Sequence, residues 1–309
     1  MPNPNDSRRF KNIWPFSKPK TPGFGISAHY YLSVLASVAR LPPILSIVNP
    51  QGDGGAVVGF GAPLSGPTDR SALSQPISRG IYAIASQDRK TVLKMMVLPK
   101  EEVGFDPEPV LRSSFGASLS AEAANRIRAT WTLIQLSFES HDPAVYPALD
   151  LILDIAARMG QETEGAIADP MSEVYRLPQE VRAPHPPPGP VDARNFVSIR
   201  SIPTTSGVYA FTLGLQKFSL PEIEISGLLP GQETAVNGLL IGLSQTILLG
   251  NLLELGAKVG SKRNPFLVAT GGLDRARWEG IPCLELIPGK GVSNAEALEE
   301  WSAEVGGPA

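Results

Sequence analysis

Glu139, His141 and Asp142 stand together in SFESHDP, and Asp169 follows in AIADP. A histidine beside carboxylates can serve as a general base, or hold one metal ion together with them. Glu139, His141 and Asp169 are therefore the candidate catalytic residues, and a small hydrolase or metal-dependent enzyme is the activity they would support. Each position also has an ordinary use. Asp142 fits a helix N-cap, Asp169-Pro170 a turn, and Glu139 with His141 a solvated loop. Cys283 lies in PCLELIPG with no histidine near it in sequence, which suits a small buried side chain better than a nucleophile. No GxSxG elbow, HExxH pair or P-loop occurs.

The elements that must position these residues are well punctuated. Thr130, Thr132, Ile134, Leu136 and Phe138 alternate with Trp131, Leu133, Gln135 and Ser137, the period of a strand. Asp142 and Pro143 then open a helix, along which Val145, Leu149, Ile152, Ala156 and Met159 share one face until Gly160 closes it. Gly165 to Ala168 is a second apolar run. If the two strands run parallel, their ends share one edge, where such folds bind ligands.

Bulk composition narrows the function classes. The chain has 309 residues, 42% of them hydrophobic and 18% charged, enough for a sizeable core and two structural units. A net charge of −3 is too small to imply a nucleic-acid or acidic-substrate partner, so nucleic acid is not the expected partner. One cysteine excludes an internal disulfide framework, and three histidines (His29, His141, His185) supply a metal site poorly. The start carries no apolar stretch after its charges, so the expectation is a cytoplasmic protein without a secretory signal. Thr234 to Leu253 is uncharged and long enough to span a bilayer. It carries Asn237, Ser244, Gln245, Thr246 and Asn251 and lacks a flanking positive cluster, which favours a buried core helix and no membrane.

Read in order, residues 1–25 form a disordered basic arm in which Arg8 and Arg9 are candidate interaction residues. Ala28 to Arg40 predicts a short helix and Ile44 to Val48 a strand. The glycines of QGDGGAVVGFGAPLSG are interrupted by Pro63 and Pro67, which predicts a hairpin rather than a phosphate cradle, so no cofactor is expected. Val92 to Leu98 is a strand, and Ser120 caps a helix over AEAANRIR. This first α+β unit covers residues 26–177. Residues 178–192, with PQEVRAPHPPPGP, form a Pro-rich linker. The second α+β unit, 193–290, holds strands at Phe196–Ile202 and Gly207–Leu215. A further strand has Ile223 and Ile225 inward and Glu222, Glu224 and Ser226 on a solvated face. Pro230 opens the long apolar helix. Residues 291–309 are an acidic C-terminal helix and tail, begun by a Ser293/Glu296 capping box.

The halves share a layout of strand, helix and short strand, which points to α+β architecture with mostly antiparallel sheets, ferredoxin-like units being the specific expectation. The segment Gly214–Ile225 reads GLQKFSLPEIEI. It resembles a pattern in bacterial proteins known only as domains of unknown function, where Gly-x-x-Lys-Phe-x-Leu-Pro-Glu precedes a strand and a long helix. AIADPMSEVY looks like the first half of the same families. The resemblance implies a bacterial cytoplasmic protein and brings no activity, cofactor or catalytic residue. Within it Lys217 is a candidate interaction residue, although Phe218 also fits the core with Lys217 reaching past it to solvent. Together these readings favour a non-enzymatic protein-interaction or regulatory module with an unknown protein partner. The enzyme built on His141 is the alternative.

Overall fold

A computed structural model describes residues 24–48, 62–63, 74–113, 116–181, 191–251 and 253–306. They fall into two compact units. The described residues of Ala28–Pro184 form one, and those of Met1–Ser27 and His185–Ala309 form the other. The first unit is thus inserted into the second, and we call them the insert and the host. Arg8, Arg9 and the glycine-rich stretch, apart from two residues of it, lie outside the described residues.

The insert contains β1 (Tyr31–Ala36), α1 (Ile44–Val48), β2 (Ala62–Pro63), β3 (Gly80–Ala85), β4 (Val92–Pro99), α2 (Lys100–Val103), α3 (Glu108–Arg112) and α4 (Ala121–Arg128). It continues with β5 (Thr132–Ser140), α5 (Val145–Glu162), β6 (Ala166–Asp169) and β7 (Val174–Arg176). The strands form a seven-stranded sheet in the order β2-β3-β4-β5-β1-β6-β7. Every pairing is antiparallel. Because β5 and β6 each run antiparallel to β1 between them, they are parallel to one another. Residues 31–36 are a strand where a helix was expected. β1 is a central strand with Val34, Leu35 and Ala36 all buried, so apolar residues occupy both faces and mask the period of two. Ile44–Val48 is a short helix instead of a strand. Ile44, Ile47 and Val48 are buried at helical spacing, and the Ser46 hydroxyl donates to Pro43 O at 2.7 Å.

α5 starts at Val145, and Asp142 Oδ1 accepts from Ala144 N just ahead of it. Gly160 does not end the helix. It sits where a Cβ would come within 2.9 Å of Pro178 Cγ and 3.0 Å of Ile167 Cδ1, so it serves close packing. The chain turns at Glu164, with φ of 50°.

The host contains β8 (Ser198–Thr204), β9 (Gly207–Leu213), β10 (Glu222–Leu228), α6 (Glu233–Leu248), β11 (Lys258–Gly260), β12 (Pro265–Thr270), β13 (Cys283–Ile287) and α7 (Asn294–Gly306). Its six-stranded sheet runs β11-β12-β13-β10-β9-β8, with β10 and β13 parallel and every other pair antiparallel. α6 ends at Leu248, and no helix among the described residues is long and apolar enough to cross a membrane. One side of α6 buries Val236, Leu239, Leu240, Leu243, Ile247 and Leu248. Its Gln245 bridges Ala193 N and Val191 O, tying down the chain that follows the Pro-rich stretch. α7 carries the expected capping box, Glu296 N donating to Ser293 Oγ and Ser293 N to Glu296 Oε2. It buries Ala297 and Leu298 and belongs to the core of the host.

The architecture is α+β with mostly antiparallel sheets. Both units contain three consecutive strands adjacent in the sheet that lead into a long helix, β3-β4-β5-α5 and β8-β9-β10-α6. The likeness stops there, since β6 runs parallel to β5 across one intervening strand while β12 runs antiparallel to β10 across one. Each sheet has more strands than a single ferredoxin-like β-α-β-β-α-β unit contributes.

Candidate functional site

His141 is exposed at the end of β5, its Nδ1 3.1 Å from Asp142 O and its ring edge-on to Phe138 at 5.9 Å. Glu139 is exposed beside it. Asp169 is buried and accepts from Ser172 N, and its charge helps raise the Tyr30 hydroxyl, which burial has already pushed well above the usual phenol range. β5 and β6 do end toward the same edge, but the residues meet different surroundings, two in solvent and one inside. Among the described residues no three His, Cys, Asp or Glu side chains are grouped to hold a metal ion.

The charged side chains that the fold brings together lie elsewhere. On β10, Glu222 and Glu224 are fully buried, where a solvated acidic face was expected. Alternation told correctly which residues share a face, but that face is covered. Parallel register sets Glu222 beside Cys283 and Glu224 beside Glu285, and β9 sets Phe211 beside Glu224. Tyr209, Phe211, Leu213, Cys283 and Trp278 make a hydrophobic cluster there, with Trp278 supplied by the loop between β12 and β13. Burying two carboxylates is costly unless every oxygen finds donors. They are found in two loops.

Glu224 holds the loop 271–282. Its Oε1 accepts from Gly272 N at 2.5 Å and Leu273 N at 3.0 Å. Its Oε2 accepts from the Tyr209 hydroxyl at 2.5 Å and Trp278 Nε1 at 2.8 Å. Trp278 Nε1 also lies 2.9 Å from the Tyr209 oxygen, and the rings of Phe211 and Trp278 meet edge to face at 5.5 Å. Burial, then the bond to Glu224, pushes the Tyr209 hydroxyl far above its ordinary range. Gly272 adopts φ of 121°, a conformation other residues resist. At Gly271 a Cβ would lie 2.8 Å from Glu224 Oε1 and 2.9 Å from the Cys283 carbonyl. We expect Gly271→Ala to cost about 2 kcal/mol, because neither backbone nor clamped carboxylate can move aside. Thermal unfolding checks this, and an unchanged midpoint would show the loop to be soft.

Glu222 holds the turn that precedes β10, a 3-10 segment over Leu215–Phe218. Its Oε1 accepts from Gly214 N at 2.8 Å and Gln216 N at 3.1 Å, and its Oε2 from the Thr212 hydroxyl at 2.6 Å. Burial raises the carboxyl to about 7, against the opposing pull of these donors and of Lys217. Lys217 is itself wholly buried, with Nζ 2.5 Å from Phe196 O. It is neither at a binding edge nor reaching solvent, because the turn folds it inward beside Glu222. Phe218 is in the core as expected, stacked on Phe24 at 5.6 Å and edge-on to Phe196 at 5.5 Å. Gly214, with φ of 121°, starts the turn, and Ser219, with φ of 56°, ends it. The Gly-x-x-Lys-Phe-x-Leu-Pro-Glu segment is thus one structural device, with Gly214, Lys217, Phe218, Leu220 and Glu222 all buried in it.

Chemically, the cluster is built to hold shape. All four carboxylate oxygens of Glu222 and Glu224 are taken by donors of the protein itself. Burial and the two neighbouring acids push the Cys283 thiol far up, away from thiolate chemistry. Sequence reasoning missed the cluster because a buried acid face and a solvated one alternate identically. The available signal was the pair of glycines at 271 and 272 and the tryptophan that follows, since a close-approach loop must cover something. Comparison with protein-family models, with curated proteins and with solved structures gives no match.

Proposed function

We propose that this protein is a non-enzymatic protein-interaction module whose recognition element is the host loop 271–280. The observation that carries the reading is the clamp on that loop: a buried carboxylate binds Gly272 N, Leu273 N and Trp278 Nε1 from one side. On the other side Leu273 is left 49% exposed, and Arg275 is exposed two residues further on. A buried polar network adds little net stability over an apolar core, but it specifies one conformation of the backbone it binds. Preorganising an exposed loop lowers the entropy cost of docking a partner on it. The bacterial cytoplasmic setting implied by the Gly214–Ile225 resemblance suits such a module. His141 and Glu139 act in this reading as surface residues of the insert.

The test is affinity capture from a native lysate with the immobilised full chain, repeated with Leu273→Asp and Arg275→Glu. Recovery of a specific partner by the wild type, reduced about tenfold by each variant, is the expected result. Equal recovery by all three, or none above background, would remove the loop as the recognition element.

A further inference from the structure

The turn held by Glu222 has a second face. Its carbonyl groups bind the segment Phe24–Ser27, with Gly25 N donating to Phe218 O at 3.1 Å and Ser27 N to Lys217 O at 2.8 Å. Phe24 stacks on Phe218 at an interplanar angle of 16°. This strap is the last stretch of the host before the chain enters the insert at Ala28. One buried carboxylate therefore binds the amide groups of a turn whose carbonyls hold the strap.

We propose that Glu222 and its turn form a proton-controlled clasp on the strap: the clasp is closed when Glu222 is protonated and opens more readily once it is ionised. The geometry supplies the coupling. Glu222 is fully buried, so opening the turn enough to free Lys217 O and Phe218 O also brings water to its carboxyl. An acid that is harder to ionise inside than in water favours the closed state whenever it is protonated. The groups facing it do not reverse this sign. Lys217 on the turn favours ionisation, but burial outweighs it. Glu224 lies two residues along β10 on the same face, and burial keeps Cys283 on β13 a neutral thiol. Thr212 of β9 and the amides of Gly214 and Gln216 donate to the carboxyl without titrating.

The experiment is amide hydrogen exchange of the full chain at about pH 5, 6, 7 and 8, corrected for intrinsic rates and read at Gly25, Ser27, Gly214 and Gln216. Protection is expected to fall about tenfold per pH unit between about 5 and 7, then level off. Glu222→Gln, permanently neutral, is expected to stay protected throughout. Wild-type protection that is equal at pH 5 and 8, or a fall that persists in Glu222→Gln, would overturn the clasp. If that variant does not fold, Phe24→Ala decides the matter. It should expose Gly25 and Ser27 at every pH while Gly214 and Gln216 keep the pH dependence, and loss of that dependence would count against Glu222. Neither outcome depends on whether loop 271–280 binds a partner.

Discussion

Glu224→Ala is expected to lower the stability of the host by about 3 kcal/mol or more. The variant strips Tyr209, Gly272 and Leu273 of the acceptor for their donors and leaves Trp278 Nε1 only the Tyr209 oxygen. An orphaned buried donor costs about 1–3 kcal/mol, which applies to Tyr209, while the part-buried amides of Gly272 and Leu273 add less each. Glu224→Gln is the sharper probe. A glutamine oxygen can keep the amides of Gly272 and Leu273, but its NH2 then faces Trp278 Nε1, which can only donate, and makes the Tyr209 hydroxyl an acceptor with its own proton unplaced. We therefore expect even the shape-preserving variant to lose about 1–3 kcal/mol, read as the midpoint of the host transition in calorimetry. A Glu224→Gln midpoint within about 1 °C of wild type would mean that the loop is not held by a doubly accepting carboxylate.

Glu222 should behave in the opposite way. Its carboxyl lies at about 7 in the folded protein against an ordinary 4.5. A folded value above the unfolded one means the folded state binds the extra proton between them. The stabilisation is fully present below about pH 4.5 and is lost as pH rises through about 7, amounting to about 3 kcal/mol. The host should accordingly melt higher at about pH 5 than at about pH 8, by on the order of 10 °C. In Glu222→Gln the amide oxygen can stay on Gly214 and Gln216 while the NH2 turns to the Thr212 hydroxyl. That variant should fold well, lose the pH dependence across this window and exceed wild type at about pH 8. A wild-type midpoint that rises with pH over this range would refute the assignment.

The contrast between the two glutamates follows from what each one holds. Two positions apart on β10, they reach opposite ends of the same covered face. Glu224 Oε2 meets an indole N–H, which can only donate, whereas Glu222 Oε2 meets the Thr212 hydroxyl, which can reverse its role. Their common effect is to tie β10, the strand leading into α6, to loops on either side of the sequence: the turn 214–219 and the segment 271–282. A substitution at either residue should therefore be felt in a loop before it is felt in the strand.

Much of this was legible before the fold. The period of two in residues 132–140, the Ser120 cap and the Ser293/Glu296 box report local chemistry, which neighbours in sequence decide. The α+β class followed from those signals. Residues 31–36 and 44–48 were misread because burial on both sides of β1, and a helix of one turn, leave too little periodicity to tell the two apart. The alternation of Glu222, Ile223, Glu224 and Ile225 determined by itself that the acids share a face and the isoleucines the other. Whether that face meets water was decided only when the loop 271–282 and the turn 214–219 folded over it, as the burial of Lys217 was. Burial is a property of what lies on top, and here the covering residues come from up to 54 positions away, the separation of Glu224 and Trp278.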